Sequence, residues 1–449
     1  MVTLNEDGRV SSCSYLNYCS MDFQKKGWLR RYIQTRNHYA LHREYDRVTA
    51  MKASQVLPEQ LLYELIQPTG LLYGYPTQLP YGYKALLRAV KTDQLPVQDK
   101  NKIILLESLL YSALTSDRYQ QLESEVDVAD AFLEAAFRVG TYYKSVYHNL
   151  DTKYKGLFFY RERRGLALTE YILDSRTSYP LKEGKFWTVF INSSLLFIDI
   201  LFFHQWTAAT EEGARQKIAQ THEQTRLQLL KTMIVAAYAN RTVEKEEKRL
   251  LAYYLEAALL SEELQASSTT LLEQKLTIDQ LNLEGVTSAV LKKYLLELAV
   301  LVVSADNIIT EEEETFITQF RKKLGLPKAE ADASILTVES FMYAHWQNIG
   351  YARHRDKPDA LRQHLLHRIA RVSESYKKTL QNALAKDKPL LELWRAGQRN
   401  QLRTQGKKDL RQGLLALLSQ LPVFNPNTVP TSLLTYSVLM NVLPPDLEK

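Results

Sequence analysis

Residues 239–247 have the sequence ANRTVEKEE and residues 305–313 have the sequence ADNIITEEE, so one pattern occurs twice in the chain. In each copy an apolar stretch precedes the turn and another follows it, with Leu250 in the first copy and Phe316 in the second. Such a repeat predicts two stacked helix–turn–helix units, because neither unit can bury its apolar face alone. We therefore predict an all-α fold, a multi-helix bundle with this pair of units at its centre.

The composition is that of a large globular protein. The chain has 449 residues, of which 45% are hydrophobic and 24% are charged, and its 16 glycines and 14 prolines are few enough for long helices. A chain of this length has room for roughly two to four domains with cores of their own.

The first 20 residues differ from the rest. They contain both cysteines, Cys13 and Cys19, and they lack helical periodicity. They also lack a basic segment followed by an apolar core, so we expect residues 1–20 to be a disordered extension rather than a signal peptide, and translation to start at Met21. With two cysteines and no CxxC motif, we expect no disulfide framework and a reducing, cytoplasmic setting.

Residues 21–215 are predicted to form a helical N-terminal region. Between residues 25 and 47 cations alternate with aromatic residues, a pattern that suits binding to nucleic acid or to an anionic membrane. We favour the alternative, an amphipathic helix with a solvated basic face, because acidic residues dilute the charge. The buried side of that helix is predicted to consist of Trp28, Leu29, Tyr32 and Ile33.

Residues 186–206 come close to the hydropathy of a membrane span over a window of about 19 residues. Asp199 lies at the centre of this block, and a mid-span aspartate costs roughly 2.5–3.5 kcal/mol. We therefore favour a buried core helix. If the block did cross a membrane, Asp199 would be the leading candidate for a functional residue, because carboxylates inside membranes are rarely without a role.

Residues 216–335 are predicted to form the repeat domain. In its second copy Thr310 is a good N-cap and Glu313 follows three residues later, which is the pattern of a capping box. A helix is therefore expected to begin directly after Thr310.

The motif ADNIIT at residues 305–310, followed by glutamates, resembles the TerB-like domains, all-helical modules named from tellurite resistance. Their signature is Ala-Asp-Gly-x-Ile-x-x-x-Glu in paired copies, and this chain departs from it at both glycines, where Arg241 and Asn307 stand. The resemblance implies a divalent cation at the acidic turns. The candidate ligands are Asp306, Glu312 and Glu313. The alternative is that these glutamates stabilise the dipole of the helix they begin.

Residues 336–449 are predicted to form a basic C-terminal region. From residue 351 to the end there are 17 Lys and Arg against 8 Asp and Glu, whereas residues 244–330 have 10 against 16. The cations between residues 395 and 411 recur at intervals of four, which predicts one helix with a basic side that binds an anionic partner. The candidate residues are Arg395, Arg399, Arg403, Lys407, Lys408 and Arg411.

The end of the chain resembles the ribosome-facing domain of the leucine-zipper, EF-hand-containing transmembrane (LETM) family. The resemblance rests on the basic segment, the Asp-Leu pair at 409–410, LPVF at 421–424 and VLPPDL at 442–447. It departs where Asn-Pro-Asn at 425–427 interrupts the apolar run. With Gly-Trp at 27–28, Thr-Gly at 69–70 and Leu-Leu-Glu-Ser at 105–108 also present, the whole chain resembles a bacterial group described as LETM-related, biofilm-associated proteins.

No catalytic motif is present: there is no Gly-x-Ser-x-Gly, His-Glu-x-x-His, phosphate loop or dinucleotide fingerprint. His364 and His367 share a helix face but have no acidic or thiol neighbour in sequence, so we interpret them as surface residues. An enzyme is the least favoured class, and no cofactor is expected other than the divalent cation.

We expect a non-enzymatic interaction or scaffold protein, cytoplasmic or peripheral to the inner membrane, that binds the ribosome or an anionic membrane surface. Neither DNA nor a small-molecule substrate is expected as a partner. Two alternatives stay open: a membrane-associated ion-homeostasis protein that uses residues 186–206, and a TerB-like stress protein that senses divalent cations.

Overall fold

The computed structural model describes the chain in segments separated by gaps. The described residues are 21–53, 58–74, 95–116, 118, 122–147, 161–178, 186–239, 245–271, 276–304, 311–345, 358–421, 423–424, 429 and 432–448. The predicted extension at residues 1–20 lies outside them. All regular structure within the described residues is helical, without a strand, so the predicted all-α class is confirmed.

The helices divide into a body and a C-terminal domain. Those of the body are α1 (Trp28–Ala53), α2 (Pro58–Ile66), α3 (Val97–Leu114), α4 (Glu125–Val146), α5 (Arg161–Thr177), α6 (Phe186–Ala208), α7 (Glu212–Ala237), α8 (Lys245–Ala257), α9 (Glu262–Leu271), α10 (Ala289–Val303), α11 (Glu311–Leu324) and α12 (Lys328–His345). Those of the C-terminal domain are α13 (Pro358–Ser375), α14 (Lys377–Lys386), α15 (Lys388–Gln398), α16 (Thr404–Leu418) and α17 (Tyr436–Val442).

The repeat forms two helix–turn–helix units, as predicted. The pair α7 and α8 is the first unit, the pair α10 and α11 is the second, and the units stack through α7 and α10. The helices that follow the turns bury Tyr254 in the first unit and Phe320 in the second. Helix α11 begins at Glu311, where the predicted N-cap requires it, although Thr310 itself lies outside the described residues.

The N-terminal region and the repeat share one hydrophobic core, which extends from Phe23 to Met342. The predicted boundary at 215/216 therefore does not separate two domains, and it falls inside α7. A buried carboxylate joins the two regions: Glu297 of α10 accepts hydrogen bonds from the hydroxyls of Tyr63 and Tyr73. Burial raises the pKa of Glu297, and the two hydroxyl donors act against this effect because they stabilise the ionised carboxylate.

Helix α1 buries the predicted four residues, Trp28, Leu29, Tyr32 and Ile33. Its start is held by a carboxylate from α5, because Glu170 accepts hydrogen bonds from the backbone N–H of Gly27 at 2.6 Å and of Leu29 at 3.0 Å. The predicted buried side of α1 is therefore confirmed, but its basic side is solvated only in part: Arg30 and Arg31 are exposed, whereas Arg36 is buried and paired with Glu107 of α3.

Helix α6 lies in the middle of the body. Of the helices that the described residues form, Thr188–Ala208 is the one long and apolar enough to cross a membrane, and 83% of its most apolar window is buried inside the protein. Its close packing depends on Gly74: a Cβ at this glycine would lie 2.4 Å from the Cα of Phe190. In this structure the helix is a core element.

The C-terminal domain has a second hydrophobic core, between Leu336 and Leu447. The predicted boundary at 335/336 falls inside α12, which serves both cores: Ile335 and Val338 pack into the body, whereas Leu336 packs into the C-terminal domain.

The predicted single helix across residues 395–411 is wrong. Helix α15 ends at Gln398, and α16 begins at Thr404. Between them Asn400 has a φ of 55°, its N–H donates to the carbonyl of Gly397, and the N–H of Gln401 donates to that of Ala396. This is a Schellman motif, in which asparagine replaces the usual glycine.

Candidate anion-binding surface

Three of the six predicted cations are engaged inside the C-terminal domain. Arg395 lies between two carboxylates, at 2.9 Å from Glu392 and 3.0 Å from Glu448. The Nε of Arg411 donates to the carbonyl of Leu434 at 2.8 Å. The Nζ of Lys407 lies 5.4 Å from the centroid of the Tyr436 ring, a cation–π contact. These contacts hold α15, α16 and α17 together.

The other three, Arg399, Arg403 and Lys408, are exposed, and none forms an ion pair within the described part of the chain. We call them the cation cluster. Arg399 is the C-cap of α15, and Arg403 is the N-cap of α16, so two of the three flank the turn around Asn400. The break in the helix thus places Arg399 and Arg403 on either side of a turn, whereas Lys408 follows in the second turn of α16.

The start of α16 has none of the features that normally neutralise a helix N-terminus. Arg403 makes no side-chain cap, and the first turn contains no acidic residue. Helix α15, by contrast, is capped by Asp387, whose Oδ1 accepts a hydrogen bond from the backbone N–H of Leu390 at 3.0 Å. The positive end of the α16 dipole and the cation cluster therefore add, and both favour an anion.

The predicted metal ligands do not converge in the described residues. Glu312 is exposed, whereas Glu313, its neighbour on α11, is 2% exposed. Consecutive helical residues point about 100° apart, so these two carboxylates face different surroundings. Asp306 lies outside the described residues, and within them no three His, Cys, Asp or Glu side chains form a group suited to a metal ion.

A second polar site lies inside the body, around Asp199. Its Oδ1 accepts hydrogen bonds from the hydroxyl of Tyr147 at 2.7 Å and from Nε2 of His222 at 2.9 Å. Its Oδ2 accepts from the hydroxyl of Tyr143 and from Nη2 of Arg176, both at 3.0 Å. Helices α4, α5 and α7 thus supply four donors to the one carboxylate in the middle of α6.

Burial and neighbouring charges shift the pKa values of both Asp199 and His222. Burial acts to raise the pKa of Asp199, but Arg176 and the hydrogen bonds outweigh it and bring the pKa to about 2. Burial lowers the pKa of His222 to about 4, against the hydrogen bond to Asp199. At neutral pH the carboxylate is ionised and the imidazole is neutral, so the ring must carry its proton on Nε2.

The sequence singled out Asp199 but not its partners. Tyr143, Arg176 and His222 are separated from it by 56, 23 and 23 residues, and nothing in the local pattern links them. The turn at Asn400 had a signal, since asparagine is the residue that most often replaces glycine in the left-handed cap position. The regular four-residue spacing of the cations instead predicted a continuous helix through this turn.

Part of the body matches the model of a known protein family. Residues 193–334 match the family described as "Protein of unknown function (DUF533)", which is related to the TerB-like domains. The matched stretch begins inside α6 and ends inside α12, so it contains both repeat units together with Asp199 and His222. No curated protein and no solved structure matches the chain.

Proposed function

We propose that this chain is a non-enzymatic helical interaction protein whose C-terminal domain binds an anionic macromolecule, the ribosome, through the cation cluster. The observation that carries the proposal is the position of Arg399 and Arg403, exposed and without an ion pair among the described residues, beside a helix N-terminus that has no cap and no acid, with the exposed Lys408 in the second turn of that helix. The predicted binding set of six is thereby narrowed to Arg399, Arg403 and Lys408.

The physical argument is one of uncompensated charge. A cation at the positive end of a helix is unfavourable by about 0.3–1 kcal/mol. A phosphate in the same place would meet N–H groups, the helix dipole and side-chain cations together. Cations beside the N-terminus of α16 destabilise the helix when no ligand is bound. An anion bound there would remove this unfavourable interaction.

Ribosomal RNA is favoured over a membrane surface by what surrounds the cluster. Among the described residues the large hydrophobic side chains that are exposed are Val126 and Leu259, and neither belongs to the C-terminal domain. A helix that lies in a bilayer interface needs an apolar face beside its cations. The LETM-like sequence around residues 409–447 also supports a ribosomal partner. We further propose a cytoplasmic location.

Co-sedimentation with ribosomes on a low-salt sucrose gradient tests this function. The variant Arg399→Glu/Arg403→Glu/Lys408→Glu should bind at least about tenfold more weakly, because each lost phosphate contact removes the release of counterions that favours binding. The salt dependence of its binding should fall for the same reason. The matched control is Lys378→Glu/Lys386→Glu/Lys388→Glu, which has the same charge change at exposed residues of the same domain. It should keep most of the affinity.

Three outcomes would contradict the proposal. The wild-type protein could fail to sediment with ribosomes at low salt. The two triple variants could lose affinity equally, which would reduce the effect to net charge. The wild-type protein could instead bind vesicles of phosphatidylglycerol and phosphatidylethanolamine but not ribosomes, which would make a membrane the partner.

A further inference from the structure

A group of charges lies where the C-terminal domain meets the body. Arg368 of α13 donates through Nε to Glu339 of α12 at 2.7 Å, and its Nη2 lies 3.5 Å from Glu314 of α11. Arg371 of α13 lies 3.2 Å from Glu314. His364, also on α13, places Nδ1 3.4 Å from Glu339. Burial lowers the pKa of His364, so its ring is neutral at pH 7, and we call the other four residues, Glu314, Glu339, Arg368 and Arg371, the interface charges.

The hydrophobic core of the C-terminal domain is almost independent of the body. Of its fully buried members, Leu336 comes from α12, and all the others lie between residues 365 and 447. Around Leu336 the surface of α12 that faces this core is made of Ala329, Ala333 and the half-buried Tyr343. The body therefore contributes one fully buried apolar side chain to this core, although α12 packs closely along α13.

The interface charges contribute orientation more than affinity. Glu339 and Arg368 are 7% and 8% exposed, so each loses its hydration when the domain docks. For a buried pair, the cost of that desolvation is close to the Coulombic gain, while a specific partner is still required. Burial raises the pKa of Glu339 to about 7 in spite of Arg368, which shows how large the desolvation is.

We propose that residues 358–448 undock from the body reversibly as a folded unit, and that the pairs Glu314–Arg371 and Glu339–Arg368 act as the latch that fixes the docked position. A core that is the domain's own apart from Leu336, together with a charged interface, is typical of domains that move relative to each other. Undocking exposes the guanidinium group of Arg368 and releases that of Arg371, already exposed, from Glu314.

Single-molecule energy transfer in the full chain tests the proposal. Dyes are attached to cysteines introduced at Gln319 of α11 and Gln412 of α16, both exposed, with Cys13 and Cys19 replaced by serine. The expected result is one dominant high-transfer state for the parent protein. In Glu314→Arg and in Arg371→Glu, a low-transfer population should grow at least about fivefold, because like charges now face each other.

The charge swap Glu314→Arg/Arg371→Glu should return the population to the parent value. Arg395→Glu, which breaks an ion pair within the C-terminal domain, should leave it unchanged. Because Glu314 and Arg371 are partly exposed, a further pair, Glu339→Gln and Arg368→Gln, probes the buried contact. Helix content measured by circular dichroism shows whether the domain stays folded.

The proposal is overturned if none of the four single variants changes the population, or if low transfer appears only with a loss of helix content. It is equally overturned if the swap fails to restore the high-transfer state. None of these measurements involves a ribosome, so the result is independent of the proposed function.

Discussion

His222 donates a hydrogen bond from Nε2 to Oδ1 of Asp199 at 2.9 Å, and both side chains are completely buried. The imidazole is held neutral by burial, which lowers its pKa to about 4, below the ordinary value of 6.5. In the unfolded chain the same ring takes up a proton at about pH 6.5. The folded protein therefore binds fewer protons than the unfolded chain between these values.

This difference predicts the pH dependence of stability. Because the pKa is depressed in the folded state, the contribution of His222 is fully present above about pH 6.5 and is lost as the pH falls towards 4. The expected loss is about 3 kcal/mol over that window. Urea unfolding at several pH values measures it. In His222→Gln, whose amide can still donate to Asp199, the dependence between pH 6.5 and 4 should be much flatter; an equal slope in both proteins would contradict the assignment.

Replacement of Asp199 by asparagine should strongly destabilise the protein. The variant leaves Arg176 buried without its countercharge, and breaking one partner of such a pair costs about 3–5 kcal/mol. Thermal unfolding followed by circular dichroism measures the loss. The matched control is Asp174→Asn, whose pair with Lys102 involves a carboxylate that is 40% exposed. The control should cost much less, and similar losses in the two variants would show that the network has no special role.

Gly74→Ala should cost about 2 kcal/mol or more of stability. Gly74 has a φ of 73°, and an added Cβ would meet the backbone of Phe190 on α6 at 2.4 Å, so the backbone strain and the clash add. Gly325→Ala separates the two effects. Its φ is 68°, but nothing lies within 4 Å of the added Cβ, so it should cost about 1 kcal/mol. Urea unfolding of both variants measures the difference, and equal costs would mean that α6 moves aside.

Millimolar calcium or magnesium should leave the melting temperature unchanged. A cation bound to the folded state alone must stabilise it by mass action, and the carboxylates of Glu312 and Glu313 face different surroundings. Differential scanning calorimetry with and without the cation measures this. A rise that Glu312→Gln abolishes, while the exposed Glu311→Gln does not, would establish the cation site predicted from the TerB-like motif.

The features that the sequence predicted correctly depend on residues that are close together in the chain. The repeat, the buried side of α1 and the start of α11 after Thr310 each depend on residues within a few turns of one another. Helical periodicity is a local property, so it is visible without a structure.

The features that the sequence missed depend on residues far apart in the chain. The bond that joins the N-terminal region to the repeat pairs Tyr63 with Glu297, 234 residues later. No local pattern distinguishes these residues from tyrosines and glutamates elsewhere, so the sequence predicts a boundary at 215/216 between regions that share a core. The donors around Asp199 were missed for the same reason.

The shared core has a consequence for synthesis of the protein. The core begins with Phe23 and with Trp28 of α1, but it is not complete until Val338 and Met342 of α12 have been made. Helix α1 buries its apolar side against α4 and α5, so that side can close early, whereas the core around α6 waits for α7 and α8 of the repeat. Contacts so distant in sequence form slowly, and the exposed surface of the growing chain is open to aggregation in the meantime. We expect part of the body to stay exposed until residue 342 has emerged, whereas the C-terminal domain, whose buried core is its own apart from Leu336, can fold separately.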